Sequence, residues 1–288
     1  MGGSVSVASS SSEVLELAGI QVDAISTAGL GTCIQLPTLD LCFDLGVCPQ
    51  SAIRQRTVLF THAHIDHMGS VVQHCASRKM LGMPRARYVV PPEHIDALEG
   101  VLEAWKKLDR NRLDCELVAC GVGETVSLKS GHFARAFRAP HTMPAQGYVV
   151  YRKNRKLRPE WRGVPGAQIA RARASGVQVV DEVDEPLVAF TGDTTADVLD
   201  REPELGRVKL LVMEVTFVDD RISAEAARRR GHVHLDDLVE RAHLLTADHI
   251  LLTHLSARYG HRDAEACLDA RLPASLRERV TLLPHRLP

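Results

Sequence analysis

Aromatic residues are scarce in this chain, and its charges nearly cancel. Phe, Trp and Tyr make up 4% of 288 residues, and 35 Lys+Arg stand against 36 Asp+Glu for a formal net charge of −1. A near-neutral total excludes a protein that coats nucleic acid with its whole surface. Long apolar runs are missing as well, with no stretch approaching the ~20 residues of a membrane-spanning helix. The seven cysteines, at 33, 42, 48, 75, 115, 120 and 267, include no C-x-x-C pair. An odd and scattered set is no disulfide framework and fits a reducing compartment, so a cytoplasmic location is expected. The opening MGGSVSVASSSS lacks the basic and apolar segments of a signal peptide. Gly2 and Ser6 satisfy the loose acylation pattern M-G-x-x-x-[ST], but residues 1–13 are read as a disordered, Ser-rich tail.

What is present is enough to build a core: 45% of the residues are hydrophobic and 25% charged. Short β-rich runs at 20–27, 32–36, 39–45 and 57–60 are punctuated by Gly29, Gly31, Pro37 and Gly46, which reads as a meander of strands. Helices are expected over 68–81 and 93–109. In the second, Ile95, Leu98, Leu102 and Trp105 share one face, and Pro91-Pro92 marks its start. Strands return at 116–119, 125–128, 133–139 and 147–151. The last third alternates: strands at 187–191, 208–214 and 249–253, helices at 236–246 and 264–272. Sheet first in a meander and then alternating with helix predicts a layered α/β domain, single and without a linker cut, over 14–288.

One hexapeptide carries most of the chemistry. His62, Ala63, His64, Ile65, Asp66 and His67 read H-x-H-x-D-H directly after an apolar run. In extended backbone, residues two apart point the same way, so His62 and His64 can grip one metal ion. Asp66 and His67, where the chain enters the next helix, can turn to a second. Imidazole and carboxylate are the donors zinc takes in hydrolytic sites. Further ligands are expected at strand ends, and three residues stand there: His141 in R-A-P-H-T, Asp193 in F-T-G-D-T and His254 in L-L-T-H-L.

These residues resemble the metallo-β-lactamase superfamily, and within it ribonuclease Z, which removes 3′ trailers from tRNA precursors. The resemblance runs from about Ala18 to Leu283 and looks closest to the short plant form. It is carried by T-C-I-x-L-P at 32–37, F-D-L-G-x-C-P at 43–49, Q-G-Y-V-V-Y at 146–151, F-T-G-D-T-T at 190–195 and S-A-R-Y at 256–259. It implies a four-layer αββα sandwich with two zinc ions, for which manganese or iron could substitute. His62, His64 and His141 would hold one ion, and Asp66, His67 and His254 the other, with Asp193 bridging. It also implies that Glu214 and His232 form a carboxylate–imidazole pair able to protonate a leaving alkoxide. Asp66 would orient or deprotonate the water. Metal binding lowers the pKa of water to near 7, supplying hydroxide for attack at phosphorus.

The substrate is read from a charge run. Residues 152–173 carry a net charge of +7, so the rest of the chain sums to −8. Arg152, Lys153, Arg155, Lys156 and Arg158 open it, with Tyr151 and Trp161 alongside and Gly163, Pro165 and Gly166 to loosen it. A basic, mobile, aromatic-bearing segment can follow a phosphate backbone with little base reading. Ribonuclease Z inserts its tRNA-grasping arm at this place, so 152–180 is a candidate RNA-binding arm. Arg258, four residues after His254, is a fixed cation suited to a phosphodiester oxygen. The family's P-x-K-x-R-N loop is absent, 31–36 reading G-T-C-I-Q-L instead. The expectation is therefore a zinc-dependent endoribonuclease acting on pre-tRNA, and by resemblance a homodimer. The alternative is a hydrolase of the same fold acting on a small phosphodiester or acyl thioester.

Overall fold

Along Gly31–Leu36 successive side chains part company. Ile34 and Leu36 join one apolar core, and Cys33 joins another. A strand that buries both faces belongs to a sheet with a layer on either side. That is the architecture of the computed structural model, which describes residues 14–110 and 112–285. The expected tail, 1–13, lies outside the described residues.

The first sheet holds β1 (Val14–Leu17), β2 (Ile20–Thr27), β3 (Gly31–Leu36), β4 (Leu41–Phe43), β5 (Thr57–Leu59), β6 (Ala86–Val90) and β7 (Cys115–Ala119), in that order. The second holds β8 (Thr125–Ser127), β9 (His132–Arg138), β10 (Gln146–Leu157), β11 (Val180–Phe190), β12 (Leu210–Glu214), β13 (His249–Thr253) and β14 (Val280–Leu282). Each sheet starts with four antiparallel strands and ends with three parallel pairings. The central core lies between the sheets, where the Phe43 ring stands 5.0 Å from Phe190 and 6.4 Å from Tyr148. Helices Val71–Met80 and Ile95–Asp109 cover the first sheet through Val71, Cys75, Leu98 and Leu102. Helices Leu235–Glu240 and His261–Arg271 cover the second through Leu235, Leu238, Ala264 and Leu268. The αββα sandwich expected from the sequence is thus present as one domain. No helix among the described residues is long and apolar enough to cross a membrane.

Several local expectations change. The helix expected at 68–81 is two, Ile65–Met68 and Val71–Met80, parted at Gly69, where a Cβ would lie 2.4 Å from the Ile65 carbonyl oxygen. The helix expected at 236–246 stops at Glu240 and yields to a 3-10 turn, Ala242–Leu244. β1, β6 and β14 are additional.

The largest difference concerns the basic segment. β10 and β11 do not end at the sheet edge but run on as a two-stranded ribbon, pairing Arg152 with Glu185 and continuing to Leu157 opposite Val180. A bulge beside Tyr151 places Pro186 opposite it, which suits proline's missing N–H. The 3-10 turn Pro159–Trp161 and helix Gly166–Ala174 close the ribbon. The second strand is acidic, so residues 152–185 together carry +3. Arg152 pairs with Glu185 at 2.6 Å, Arg155 with Glu182 at 3.5 Å and Arg158 with Asp181 at 2.7 Å. The expected loose insertion is therefore a built arm.

Candidate metal centre

β5, β9, β11, β12 and β13 all finish at one edge of the sandwich, and the residues after them converge there. Open α/β sheets bind ligands beyond the carboxyl ends of their strands. Past β5 come His62 and His64, and the short helix Ile65–Met68 presents Asp66 and His67. Gly46 packs under that helix, where a Cβ would overlap the Asp66 carbonyl. Asp193 follows Gly192, whose φ of +60° and closeness to Thr61 leave no room for a side chain. His254 itself sits at φ +58°, in the left-handed region that non-glycine residues seldom occupy.

All seven expected ligands meet at this edge. The ligand atoms of His62, His64, His141 and Asp193 lie within 4.8 Å of one another, and so do those of Asp66, His67 and His254. His64 Nδ1 is 3.0 Å from His62 Nε2 and 3.4 Å from His141 Nε2, while His67 Nε2 is 3.4 Å from His254 Nε2. Asp193 lies between the two groups. Its Oδ1 is 3.2 Å from His67 Nε2 and 3.3 Å from His254 Nε2, and its Oδ2 is 3.8 Å from His62 Nε2.

Four of the five imidazoles are fixed by their outer nitrogen. His67 Nδ1 donates to Asp44 Oδ2 at 2.8 Å. His62 Nδ1 meets Thr61 Oγ1 at 2.9 Å, and that hydroxyl donates to Asp44 Oδ2 at 2.8 Å. His254 Nδ1 meets Thr216 Oγ1 at 3.0 Å, and Thr216 donates to Glu214 Oε2 at 2.5 Å. His141 Nδ1 donates to the Gly231 carbonyl at 2.8 Å. Such partners set the tautomer that turns the other nitrogen's lone pair inward. Asp44, Thr61, Thr216 and Gly231 were not among the expected site residues. Asp44 did stand in the F-D-L-G motif, and its φ of +56° aims it back at the H-x-H-x-D-H loop.

The donors fit a divalent cation. Asp193 Oδ1 is buried and accepts no hydrogen bond, although two imidazole nitrogens lie near it. An orphaned buried carboxylate oxygen facing imidazole nitrogens is a place for a cation. The electrostatics agree. Burial, helped by the charge on His67, lowers His62 to about 2, so its ring is neutral and free to donate. Burial opposes ionisation of Asp193 and Asp66 too, but the surrounding imidazoles overcome it and hold both below the usual carboxylate range. His67 is the exception: the charges of Asp193 and Asp44 outweigh its burial and raise it, so a cation would have to displace the proton on its Nε2. The cluster is a divalent-metal site.

Glu214 and His232 meet beside it, with His232 Nδ1 3.0 Å from Glu214 Oε1. Both Glu214 oxygens accept hydrogen bonds, from Thr194 N–H at 2.7 Å, Val233 N–H at 3.2 Å, Thr216 and His232, and a Glu214 oxygen also lies within 4.8 Å of ligand atoms of Asp193, His232 and His254. Burial pulls His232 down, yet the charge and hydrogen bond of Glu214 and the charge of Asp193 raise it to about 9. His234 faces away: its Nδ1 accepts from Asp236 N at 3.1 Å and caps the next helix. Arg258 is exposed on the turn after His254. The arm residues are not brought to this site. They leave the sheet at the opposite end of β10 and β11, so Arg152, Lys153, Arg155, Lys156 and Arg158 stand apart from the metal cluster.

The fold and centre define the class, and comparisons with known proteins agree. Residues 47–255 match the Beta-lactamase superfamily domain. The chain is 37% identical to tRNase Z TRZ1 of Arabidopsis thaliana over 273 residues, covering 94% of this chain and 97% of that protein. It is 36% identical to the nuclear ribonuclease Z of Triticum aestivum over 169 residues, covering 59% of this chain and 96% of that protein. Among solved structures, the short form of human tRNase Z superimposes with a TM-score of 0.59 at 17% identity, covering 93% of this chain and 99% of that one. The chain belongs to the tRNase Z (ribonuclease Z) family of the beta-lactamase superfamily.

Proposed function

We propose that the chain is a zinc-dependent endoribonuclease that cuts pre-tRNA after the discriminator nucleotide and releases the 3′ trailer. The observation that carries this reading is the complete donor set at the strand-end cluster, with the Glu214–His232 pair beside it, in a chain of the tRNase Z family. His62, His64 and His141 would hold one zinc ion, Asp66, His67 and His254 a second, and Asp193 would bridge them. When bound, the ions would supply Lewis acidity at the phosphoryl oxygens and water acidified to near neutral pH.

The chain's own groups divide the remaining work. Asp66, whose Oδ2 accepts from Gly29 N at 2.8 Å and which is held ionised by the imidazoles around it, orients the attacking water. His232 keeps Nδ1 on Glu214 and offers its Nε2 proton to the departing 3′ oxygen. That polarity leaves a 3′ hydroxyl on the tRNA and a 5′ phosphate on the trailer. Arg258, exposed on the turn after His254, would supply a cation for a phosphodiester oxygen.

Two features support a homodimer in which each arm serves the partner's site. The arm and the metal cluster lie at opposite ends of β11, and the 14 residues from Val180 to Asp193 span roughly 40 Å in extended form. An apolar groove of about 570 Å³ runs beside the metal loop between helices Val71–Met80 and Ile95–Asp109, lined by Ile65, Met68, Val72, Val101 and Trp105. Ile65 is 78% exposed and Trp105 47%, an uncovered face of the kind subunits bury. A cytoplasmic location belongs to the same proposal, in keeping with seven free cysteines.

The test is cleavage of a pre-tRNA bearing a 3′ trailer, run beside bis(p-nitrophenyl) phosphate with zinc or manganese present. Turnover of the small diester with intact pre-tRNA would refute the tRNA assignment and leave a small-phosphodiester hydrolase. Light scattering reads the mass, and a monomer would refute the dimer.

A further inference from the structure

Three arginines, Arg228, Arg229 and Arg230, run directly into Gly231 and His232. Two of them are engaged. Arg228 bonds the buried carboxylate of Asp237 and lies 3.7 Å from Glu240, and Arg229 bonds Glu225. Arg230 is exposed and makes no ion pair among the described residues. Its guanidinium instead stands over Phe217, 5.8 Å from the ring centroid.

Phe217 ties that cation to the site. Its ring is buried and meets the His232 ring edge-on, with centroids 6.3 Å apart and planes at 76°. Nearby carboxylates are taken by other cations: Asp219 by Arg221 at 2.8 Å and Asp220 by Arg271 at 3.2 Å. The backbone under Arg230 is held as well. Gly231, at φ +75°, accepts from His141 through its carbonyl, and a Cβ there would stand 2.6 Å from His141 Nδ1. His232 N donates to the Ala227 carbonyl at 3.1 Å. Arg230 therefore rides on the same rigid segment that positions His141 and His232.

We propose that Arg230 is a positioning residue for the RNA, binding the phosphate on the 5′ side of the nucleotide whose 3′ oxygen leaves. The inference rests on the endoribonuclease reading above. His232 faces the leaving 3′ oxygen, so a cation on the His232 side of the cluster stands toward the nucleotide that retains that oxygen. A guanidinium with no carboxylate partner, resting on an aromatic face, gives up no ion pair when phosphate arrives.

Arg230→Met keeps the length of the side chain and removes the charge, and Arg230→Lys keeps a charge. The readouts are kcat and KM for pre-tRNA across a salt series, kcat/KM for bis(p-nitrophenyl) phosphate, and metal content. Arg230→Met is expected to raise KM for pre-tRNA about tenfold and to make the slope of log kcat/KM against log salt shallower by about 1, the loss of one phosphate contact. Arg230→Lys recovers the slope. The small diester has no flanking phosphate, so its turnover stays within about twofold of wild type, with metal content unchanged. An unmoved slope in Arg230→Met overturns the inference, and so does an equal loss on both substrates, which would place Arg230 behind His232 and not on the RNA. Wild-type protein that spares pre-tRNA while hydrolysing the diester brings down the tRNA reading and this inference together. Wild-type cleavage with an unmoved slope brings down this inference alone.

Discussion

Replacing Asp44 by Asn changes no volume and removes one buried charge, yet it should disable a metal site whose ligands all remain. Asp44 Oδ2 accepts from His67 Nδ1 and from the Thr61 hydroxyl, each at 2.8 Å, and Oδ1 accepts from Thr61 N at 2.8 Å. In Asn the amide oxygen can keep the Thr61 N–H, which leaves the NH2 group facing His67. His67 must then accept at Nδ1 and carry its proton on Nε2, the nitrogen that points at Asp193 and His254. A protonated Nε2 has no lone pair for a metal. The Thr61 hydroxyl also loses its acceptor, which disturbs His62 Nδ1, 2.9 Å away. Loss of such an outer partner weakens metal binding by about 10–100-fold, or ~1.4–2.7 kcal/mol. Competition against a chromophoric zinc chelator reads this directly, with circular dichroism to show that the variant is folded. Folded Asp44→Asn that holds zinc as tightly as wild type would refute the reasoning.

Glu214→Gln removes the charge that raises His232 to about 9, so His232 should release its proton at lower pH. The expected result is kcat lower by about 100-fold or more with metal content unchanged, and an alkaline limb of the pH–kcat profile moved to lower pH. His74 gives a stability prediction. It is buried against Tyr88 OH at 2.8 Å and the Ala52 carbonyl at 3.1 Å, and burial lowers it to about 4. A depressed folded pKa means stability that is complete above the unfolded value near 6.5 and is lost as pH falls toward 4. The loss reaches roughly 2 kcal/mol by pH 5. Urea unfolding of metal-free protein should show this pH slope, and His74→Gln should flatten it. Neutralising Arg162, Arg171 and Arg173, arm cations with no ion pair among the described residues, should raise KM for pre-tRNA and weaken its salt dependence, leaving the small diester unaffected.

The candidate ligands were legible because each announces itself locally. His62 to His67 occupy six consecutive positions, and His141, Asp193 and His254 each follow a recognisable apolar strand. Their outer partners were not, since Asp44 reaches His67 only because its left-handed backbone turns it toward a loop more than twenty residues away. Gly231 contributes a carbonyl, which no residue type advertises. The arm shows the other limit. A charge count over 152–173 is correct and still misleads, because the acids at 181–185 lie across a hairpin whose register only the fold supplies. β14 is only three residues long, and β6 reads Ala-Arg-Tyr-Val-Val with a single intermediate position, so neither carries a pattern long enough to read. Gly69 split a helix whose apolar spacing runs on through it.

The central claim is that one strand-end cluster of imidazoles and carboxylates cuts the phosphodiester at the 3′ boundary of tRNA. End-mapping the products of a trailer-bearing pre-tRNA, for wild type and for Asp193→Ala, tests it most directly. The account predicts a tRNA ending in a 3′ hydroxyl at the discriminator and a trailer with a 5′ phosphate, both lost in Asp193→Ala together with bound metal. Cleavage that leaves a 2′,3′-cyclic phosphate, or that persists in Asp193→Ala, would contradict it.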